Sequence, residues 1–473
     1  MSNADKTLTQ QVAQFVASRT YDDIPPAVRE RAKLVMLDAI GTAFAASRYP
    51  FASVALSALS SLGSGDSTVI GMDANLALRD AVVMNGILVH GLDYDDTYLP
   101  GSVHLSASGV PTVLAMGPHT RSTGAEMLTA TVLGLEISAR IAAAAKGGFV
   151  NAGFHATGIA GAFGSTVAAG RLMKLDAAQH ALAQGVALSV TSSTLQPLQE
   201  GSWTKRLHPG WAGASGITAA AFARAGYVGP TQAYEGRFAL YTCFLGEHAA
   251  GAQPGMVVEG LGDTWEFTRT SIKLFPACHQ LHAFMNAAIT LSKDQPFNAD
   301  NVASVRSLIC DAAVPLVCEP QASKLKPASS YSAQFSLPYA VACALMRGKF
   351  GLNEIEAPSY TDTEVLRLAN KVSYEIDPNP GFPKSRSGEI IVKMMDGREL
   401  RCRDNILPDE PASAESIVEK FTQNTASILS PAQARQIHHA VLELDKLSDT
   451  GAFVRSLGIS KTSAKPAVAS VTA

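Results

Sequence analysis

One short stretch concentrates residue types that could do chemistry: HGLDYDDTYLPGSVH, at residues 90–104, has three aspartates between two histidines. If the apolar helix before it continued through Thr97, then His90, Asp93 and Thr97 would share one face, because residues three or four apart lie together on a helix. The pair Asp95–Asp96 would then point elsewhere and serve the turn or its neighbours.

The same stretch has the composition of a metal-binding loop but not the spacing. A calcium loop counted from Asp93 needs glycine at its sixth position and glutamate at its twelfth, where this sequence has Tyr98 and His104. No metal site is therefore expected. Two interpretations remain: a polar helix end that runs into a turn at Pro100–Gly101, or part of a catalytic pocket in which His104 returns to the face of Thr97 after that turn.

Three further segments carry imidazoles and cations. NAGFHATGIAGAFG places His155 just before a glycine-rich helix, where its ring could lie beside a helix N-terminus, although a histidine satisfied in the core is equally compatible. The second segment, EGSWTKRLHPGWAGASG, could also be a solvated basic turn. The third, SIKLFPACHQLH, lies where a second domain begins, and such junctions commonly form ligand clefts. These two segments supply Lys205, Arg206 and His208, then Lys273, Cys278, His279 and His282.

This inventory suits proton transfer next to a carboxylate. Loss of a proton α to a carboxylate gives a carbanion-like species, and cations fixed in a dry pocket stabilise that charge as it develops. Lysines would hold the carboxylates of the substrate while a histidine exchanges the proton. The sequence has no GxGxxG, GxxxxGK[ST] or GxSxG motif, so it does not indicate nucleotide binding or an activated serine.

The composition limits the possible partners. The chain has 473 residues, 47% of them hydrophobic, which is enough for a large core and more than one domain. Its balance of 38 basic and 41 acidic residues, 38 − 41 = −3, provides no basic field for nucleic acid or an anionic membrane.

Six cysteines without CxxC spacing are typical of free thiols in a reducing compartment. The start is too polar for a signal peptide, and charged residues interrupt the apolar runs short of the ~20 residues of a membrane span, so a soluble cytoplasmic protein is expected.

Periodicity indicates the elements that position the candidate residues. Apolar residues recur at helical spacing from Pro25–Pro26, with charged residues mostly off that face, which predicts an amphipathic helix. Alanine- and glycine-rich segments continue to about Arg224 and favour close-packed helices. Gly158, Gly161 and Ser165 would make one side of their helix nearly flat, so that another helix could approach closely.

After Trp265 the pattern changes to alternating strands and helices. Strands are predicted in VRSLIC, KVSYEI and EIIVKMM, the last followed by a turn at Asp396–Gly397 and by RELRC, with helices in PYAVACALMRG and TEVLRLANK. The predicted fold class is therefore mainly α with an α+β part. The predicted organisation is a helical domain over 1–267, an α+β lid domain over 268–405, a helical C-terminal return over 406–460 and a disordered tail over 461–473.

Several long motifs, in the same order and spacing, resemble the MmgE/PrpD family. They are HGLDYDDTYLPGSVHLSASGVPTVLA, GFHATGIAGAFG, KRLHPGWAGASG, KLFPACHQLH and YSAQFSLPYAVA, and the resemblance extends from Ala27 to LDKLSD. The family includes 2-methylcitrate dehydratase, cis-aconitate decarboxylase and iminodisuccinate epimerase. The resemblance implies a large all-helical domain with a smaller α+β lid, a homodimer, and activity without metal or organic cofactor.

The resemblance also implies roles for individual residues. His104 and His155 would be the acid and base, in either order, Asp93 would orient or polarise a partner, and Lys273 would stabilise charge. The implied substrate-binding residues are Thr97, Lys205, Lys273, Cys278, His279 and His282.

Two departures from the family pattern affect the expected reaction. Cis-aconitate decarboxylases carry a histidine where Cys278 stands, and 2-methylcitrate dehydratases carry a proline where Leu105 stands. The expected function is a lyase that acts on a small di- or tricarboxylate by proton abstraction next to a carboxylate, with a hydro-lyase (dehydratase) favoured over a decarboxylase. An isomerase that epimerises a dicarboxylate such as iminodisuccinate, and carboxylate binding without catalysis, are the alternatives, since a fold does not establish a function.

Overall fold

The structure is a computed structural model that describes residues 6–200, 202–381, 384–407 and 412–459. The chain forms two compact units. The described residues of unit 1 are 6–91, 95–200, 202–272 and 412–459, and those of unit 2 are 92–94, 273–381 and 384–407. The tail predicted at 461–473 lies outside the described residues.

Unit 1 is built from helices, numbered here along the whole chain. They are α1 (Leu8–Ser18), α2 (Pro26–Ala46), α3 (Pro50–Ser60), α4 (Leu78–His90), α5 (Ser106–His119), α6 (Gly124–Ala144), α7 (Gly148–Asn151), α8 (Ala156–Leu172), α9 (Ala177–Val190), α10 (Gln196–Glu200), α11 (Leu207–Arg224), α12 (Leu240–Leu245), α20 (Ala414–Thr425), α21 (Pro431–Leu442) and α22 (Gly451–Arg455). A small antiparallel ladder pairs β1 (Ser67–Thr68) with β2 (Asn75–Leu76).

Helix α6 crosses the core of unit 1. Among the described residues it is the one helix long and apolar enough to cross a membrane, and its most apolar 18-residue window is entirely buried inside the protein. Glu136 and Arg140 interrupt its apolar run, as expected, but the helix continues through both of them. These two side chains form a buried ion pair, with Arg140 Nε 2.5 Å from Glu136 Oε1, so the helix can carry them within the core.

Glycines let the helices around α6 approach one another closely, and the contact at Ser165 lies on the side of α8 that was predicted to be flat. A Cβ atom on Gly164 of α8 would lie 2.4 Å from the carbonyl oxygen of Gly134 on α6. A Cβ atom on Gly216 of α11 would lie 2.6 Å from the backbone of Ser165 on α8. Larger side chains at these crossings would force the helices apart.

Helix α2 is buried on all sides over residues 35–46, so the prediction of an amphipathic helix was wrong for this half. The cause is the C-terminal helix α20, which packs on the side assigned to solvent. Lys420 of α20 lies 2.6 Å from Asp38 Oδ1, and a Cβ atom on Gly41 would lie 2.9 Å from the ring of Phe421. The C-terminal segment therefore completes the core of unit 1.

Unit 2 combines a four-stranded sheet with helices, and the predicted strands are confirmed. The strand order is β4-β3-β5-β6, with β3 parallel to β4 and the other pairs antiparallel. The strands are β3 (Val302–Ile309), β4 (Val372–Ile376), β5 (Arg386–Met394) and β6 (Glu399–Ile406). The helices are α13 (His282–Ser292), α14 (Val314–Val317), α15 (Gln321–Leu325), α16 (Ser330–Ala333), α17 (Leu337–Arg347), α18 (Ala357–Tyr360) and α19 (Thr363–Ala369). The fold class is thus mainly α with an α+β part, as predicted.

Candidate active site

Four histidine rings converge in unit 1, and we call His90, His104, His155 and His208 the histidine cluster. His90 ends α4, His104 precedes α5, His155 is the N-cap residue of α8, and His208 lies in the first turn of α11. The ring centroids of His90 lie 4.6 Å from His104 and 5.4 Å from His155, and those of His155 and His208 are 5.3 Å apart. All four residues are buried.

Helices α4 and α11 can bring two of these rings together because they cross at glycines. A Cβ atom on Gly86 would lie 2.3 Å from the Cα atom of Gly210, and one on Gly210 would lie 2.2 Å from the carbonyl oxygen of Val83. Gly86 is one helical turn before His90, and Gly210 is two residues after His208. The crossing therefore fixes the end of α4 against the start of α11.

Helix α4 ends at His90, so the conditional prediction of a helix through Thr97 was wrong. Gly91 follows directly, and a Cβ atom there would lie 2.4 Å from the ring of Phe51. Because the chain leaves the helical path, helical spacing no longer places Asp93 and Thr97 on the face of His90. A glycine just after an apolar periodic run is a helix stop signal, and Gly91 could have been read in that way.

Asp95 contacts two members of the histidine cluster, which sequence reasoning missed. Its carboxylate is fully buried and accepts a hydrogen bond from His90 Nδ1, with a distance of 2.8 Å to Oδ2. Its other oxygen, Oδ1, lies 3.5 Å from His104 Nδ1. The expectation that Asp95 serves the turn was therefore wrong.

Asp96 does serve its neighbours, as expected. Its Oδ1 accepts a hydrogen bond from the backbone N–H of Ser106 at 2.9 Å, and its Oδ2 accepts one from the hydroxyl of Thr270 at 2.6 Å. Burial raises the pKa of the Asp96 carboxyl, and Asp95 raises it further, while the hydrogen bonds from Ser106 and Thr270 oppose that shift. Asp96 thus fixes the loop to the start of α5.

His104 returns towards Thr97 after a short 3-10 turn at Leu99–Gly101, as predicted. Its Nδ1 lies 2.8 Å from the backbone carbonyl of Asp96 and 3.5 Å from the Thr97 hydroxyl. A carbonyl only accepts, so Nδ1 carries a proton and, in the neutral ring, the lone pair is on Nε2. The backbone N–H of His104 donates to Thr157 Oγ1 at 3.1 Å, which connects this loop to α8.

His155 and His208 form a pair of neutral rings. Their Nδ1 atoms are 3.1 Å apart, so one of them donates and the other accepts. Burial holds the pKa of His155 well below its usual value, and Lys205, His90 and His104 lower it further. Burial, with a contribution from Lys205, lowers the pKa of His208 to about 4. Lys205 is thus close enough to act on both rings, and the half-buried lysine adds a cation to this region of unit 1.

Unit 2 carries the other predicted residues around an ion pair between Lys273 and Asp93. The ammonium group of Lys273, 2% exposed, donates to the backbone carbonyl of Asp93 at 2.7 Å and to its Oδ1 at 2.9 Å. Asp93 has a φ of 50°, a left-handed conformation that aspartate tolerates better than most side chains. The side-chain amide of Gln334 donates to the carbonyls of Leu92 and Pro276 and holds both segments.

Cys278 lies beside this ion pair. Burial raises the pKa of its thiol and Asp93 raises it further, while Lys273 and Arg386 lower it. The thiol is therefore neutral near pH 7. Arg386, at the start of β5, was missed by sequence reasoning, because nothing in its strand context distinguishes it from a surface arginine.

Next along the chain, His279 lies in the 3-10 turn that leads into α13, and His282 begins that helix. Their ring centroids are 4.6 Å apart, and His282 Nε2 lies 3.2 Å from the backbone carbonyl of Ala277. Of the predicted site residues, unit 1 therefore groups Thr97, His104, His155 and Lys205. Unit 2 carries Asp93, Lys273, Cys278, His279 and His282.

Comparison with known proteins gives matches over most of the chain. Residues 10–253 match the MmgE/PrpD N-terminal domain, and residues 275–446 match the MmgE/PrpD C-terminal domain. The cis-aconitate decarboxylase of Aspergillus terreus is 25% identical over 478 residues, covering 96% of this chain and 97% of that protein. The human cis-aconitate decarboxylase is 26% identical over 485 residues, covering 98% and 97%. A cis-aconitate decarboxylase-like protein of Aspergillus oryzae is 24% identical, covering 95% and 96%. With both domains matched in order and the motifs of its histidine cluster in place, the chain belongs to the MmgE/PrpD family.

Proposed function

We propose that this protein is a lyase that acts on a small tricarboxylate or dicarboxylate by proton transfer at a carbon next to a carboxylate. The observation that carries the proposal is the histidine cluster: buried rings oriented through their Nδ1 atoms, with the carboxylate of Asp95 behind two of them. Such an arrangement suits proton exchange at Nε2, because the other nitrogen is fixed by an acceptor.

His104 is the proton-exchanging residue in this proposal. The carboxylate of Asp95, 3.5 Å from His104 Nδ1, stabilises the charged ring that forms when Nε2 takes up a proton. His155 stays neutral because of its burial and its cationic neighbours, and it donates a hydrogen bond to the substrate when its proton is on Nε2. Lys205 binds a substrate carboxylate, and the Thr97 hydroxyl offers a further hydrogen bond.

The Lys273–Asp93 pair has a different part in the proposal. Its charge is already balanced, and two of the three ammonium N–H groups donate to Asp93, so it offers one oriented N–H donor to a carboxylate without adding a full positive charge. Cys278 contributes a neutral thiol beside it, and His279 and His282 offer further donors or acceptors. The protein needs no metal or organic cofactor for these steps.

Decarboxylation of a cis-aconitate-like tricarboxylate is the specific reaction we propose. It is supported by the relatives named as cis-aconitate decarboxylases, which align with nearly the whole chain. Loss of carbon dioxide leaves the electrons of the broken C–C bond on the carbon skeleton. His104, which has first taken up a proton from water at Nε2, delivers that proton to the carbon and returns to its neutral form. The second candidate is dehydration of a 2-methylcitrate-like hydroxy acid, which Cys278 favours, because the decarboxylases carry a histidine there.

An assay with the purified full chain tests the proposal. Cis-aconitate, 2-methylcitrate, citrate and iminodisuccinate are incubated separately in heavy water and followed by NMR together with carbon dioxide release. We expect carbon dioxide and a new alkene from cis-aconitate. A new alkene from 2-methylcitrate without carbon dioxide would instead establish the dehydratase. Deuterium in otherwise unchanged iminodisuccinate would establish an epimerase and overturn the lyase, and binding without turnover on any substrate would overturn catalysis.

We also propose that the protein works as a homodimer. Trp203, Leu207, Trp211 and Phe222 are large apolar side chains with 37–51% of their surface exposed. The last three lie on one face of α11, since they are four and eleven residues apart. Light scattering of the wild type should give twice the chain mass of 49.5 kDa, and Trp211→Glu should give the monomer. A monomeric wild type would contradict the proposal.

All six cysteines are free thiols, which supports a cytoplasmic location for the protein.

A further inference from the structure

We propose that His90, His104 and His155 form a binding site for a divalent transition-metal ion of the zinc class, and that occupation of this site blocks the proton-transfer residues. The expectation of no metal site rested on calcium-loop spacing and on the family resemblance, and the proximity of the three rings opposes it. The inhibitory part of the inference rests on the proposed function, whereas its binding part does not.

The distances between the rings fit a shared ion. One ring nitrogen from each of these three residues lies within 4.8 Å of the other two. At a metal–nitrogen distance of about 2.0–2.1 Å, two imidazoles on one ion have ring centroids about 5 Å apart. The observed centroid distances are 4.6 Å for His90–His104, 5.4 Å for His90–His155 and 5.9 Å for His104–His155. These distances are close to the value expected for three rings that share one ion.

Each of the three rings has the outer partner that metal-binding histidines characteristically have. His90 Nδ1 donates to the carboxylate of Asp95, and His104 Nδ1 donates to the backbone carbonyl of Asp96. His155 Nδ1 lies 3.1 Å from His208 Nδ1 and donates to it in the metal-bound form. All three rings are therefore oriented through Nδ1, which leaves Nε2 as the ligand atom.

The burial and the hydrogen bonding of His155 also support a metal site. Its Nε2 atom is buried and has no hydrogen-bond partner within the described residues, an arrangement that costs free energy unless something binds there. The residue is 4% exposed, so solvent does not replace the missing partner. Asp95 supplies a buried negative charge next to the site, which offsets the repulsion between a divalent cation and Lys205.

Neutral imidazoles select the class of ion. Zinc, nickel, copper and cobalt prefer nitrogen ligands, while magnesium and calcium prefer oxygen and keep their water. With three histidines bound, a fourth coordination position stays open for water or for a substrate carboxylate. The ion would occupy the Nε2 lone pair of His104, so that this residue could no longer take up a proton.

Direct binding to the chelator-treated full chain tests the site without any assay of turnover. Zinc alone is titrated by equilibrium dialysis, and cobalt alone is titrated by absorption spectroscopy. We expect binding by the wild type, at least 10-fold weaker binding by His90→Gln, and about 10- to 100-fold weaker binding by Asp95→Asn. His180→Gln, which removes a buried histidine outside the cluster, and Cys243→Ser, which removes the exposed thiol, should bind as the wild type does. Zinc binding that is absent, or that persists unchanged in folded His90→Gln, would overturn the site.

Turnover then tests the inhibitory part. With whichever substrate proves active, we expect zinc to inhibit the wild type at the concentrations that fill the site, and chelation to restore activity. Full activity with the site filled, or activity that requires zinc, would overturn inhibition while leaving the site established. Zinc binding to a protein that turns over none of the substrates would overturn the proposed function and support the site.

Discussion

The histidine cluster of unit 1 and the Lys273–Asp93 pair of unit 2 are both buried, but they carry charge in different ways. The pair holds a fixed positive and a fixed negative group in contact. The cluster collects rings that can be neutral, and burial keeps the pKa of His155 and His208 low. A group that exchanges protons must change its charge, whereas a group that holds a carboxylate must not. The difference therefore separates the residues suited to chemistry from those suited to binding.

The largest effect is expected from removing the proton-exchanging ring. His104→Gln keeps a side chain of similar size but cannot take up a proton, so turnover should fall about 10²- to 10⁴-fold. Turnover and thermal unfolding of the purified variant would be measured together. His180→Gln is the matched control, because it also removes a buried histidine from unit 1 and should keep its activity. Activity within a few-fold of the wild type in His104→Gln would contradict the comparison.

Breaking the ion pair should cost mainly stability. Lys273→Met leaves the carboxylate of Asp93 buried without its ammonium partner, and the free energy of unfolding should fall by about 3–5 kcal/mol. The double variant Lys273→Met with Asp93→Asn removes both charges and should recover most of that loss without recovering turnover. Denaturant unfolding of the three proteins measures the effect. If the double variant were as unstable as the single one, the pair would not act as a charge-balanced unit.

Cys278→His adds an imidazole beside the Lys273–Asp93 pair. Unit 2 would then resemble the histidine cluster in having a ring that can change its charge. If Cys278 limits decarboxylation, the variant should raise the kcat/KM ratio for cis-aconitate over 2-methylcitrate by about 10-fold. Cys278→Ser is the matched control, since it changes the side chain without adding an imidazole. An unchanged ratio in Cys278→His would show that this position does not select the reaction.

The smallest effect concerns His180 of α9, a neutral histidine outside the cluster. Burial and, to a smaller extent, the neighbouring Arg171 lower its pKa to about 3, while Asp176 opposes that shift. In the unfolded chain His180 takes up a proton below pH ~6.5, whereas in the folded chain it does so only below pH about 3. The free energy of unfolding therefore falls as the pH drops below ~6.5, by about 1.4 kcal/mol per pH unit.

His180→Leu should remove that dependence and flatten the stability curve between pH 6 and 4. Denaturant unfolding at several pH values compares the two proteins. Asp38, with a pKa raised by burial to about 6, acts in the opposite direction but is present in both proteins, so it cancels in the difference. Parallel curves for wild type and variant would contradict the assignment of a low pKa to His180.

The sequence predicted the strands of unit 2 well, because their apolar runs are bounded by turn residues such as Asp396–Gly397. It predicted less of α2, since the segment that covers residues 35–46 lies near the other end of the chain and periodicity reports only local order. The close packing of other helices against α8 was predictable, because glycines in the sequence mark positions that have no side chain, whichever helix packs there.

The sequence predicted which residues belong to the candidate site better than it predicted which of them contact one another. The sequence identified His104, His155 and Lys205. It assigned Asp95 to the turn, because helical spacing beyond Gly91 points this residue away from His90, whereas α4 ends at His90. Once the helix ends at His90, helical phase says nothing about where an aspartate points. The partner of His90 is decided by the loop conformation, which the spacing of residues does not encode.

The buried ion pair between Lys420 and Asp38 sets an order of events during synthesis. The ribosome adds 420 − 38 = 382 residues between these two side chains, which takes about 20 to 80 s at about 5–20 residues per second. The strands of unit 2 are synthesised during this interval. Throughout it, α2 lacks the helix α20 that covers one of its sides. We therefore expect the nascent chain to present one side of α2 to chaperones until α20 emerges, and we expect truncation before Lys420 to make unit 1 more susceptible to proteolysis.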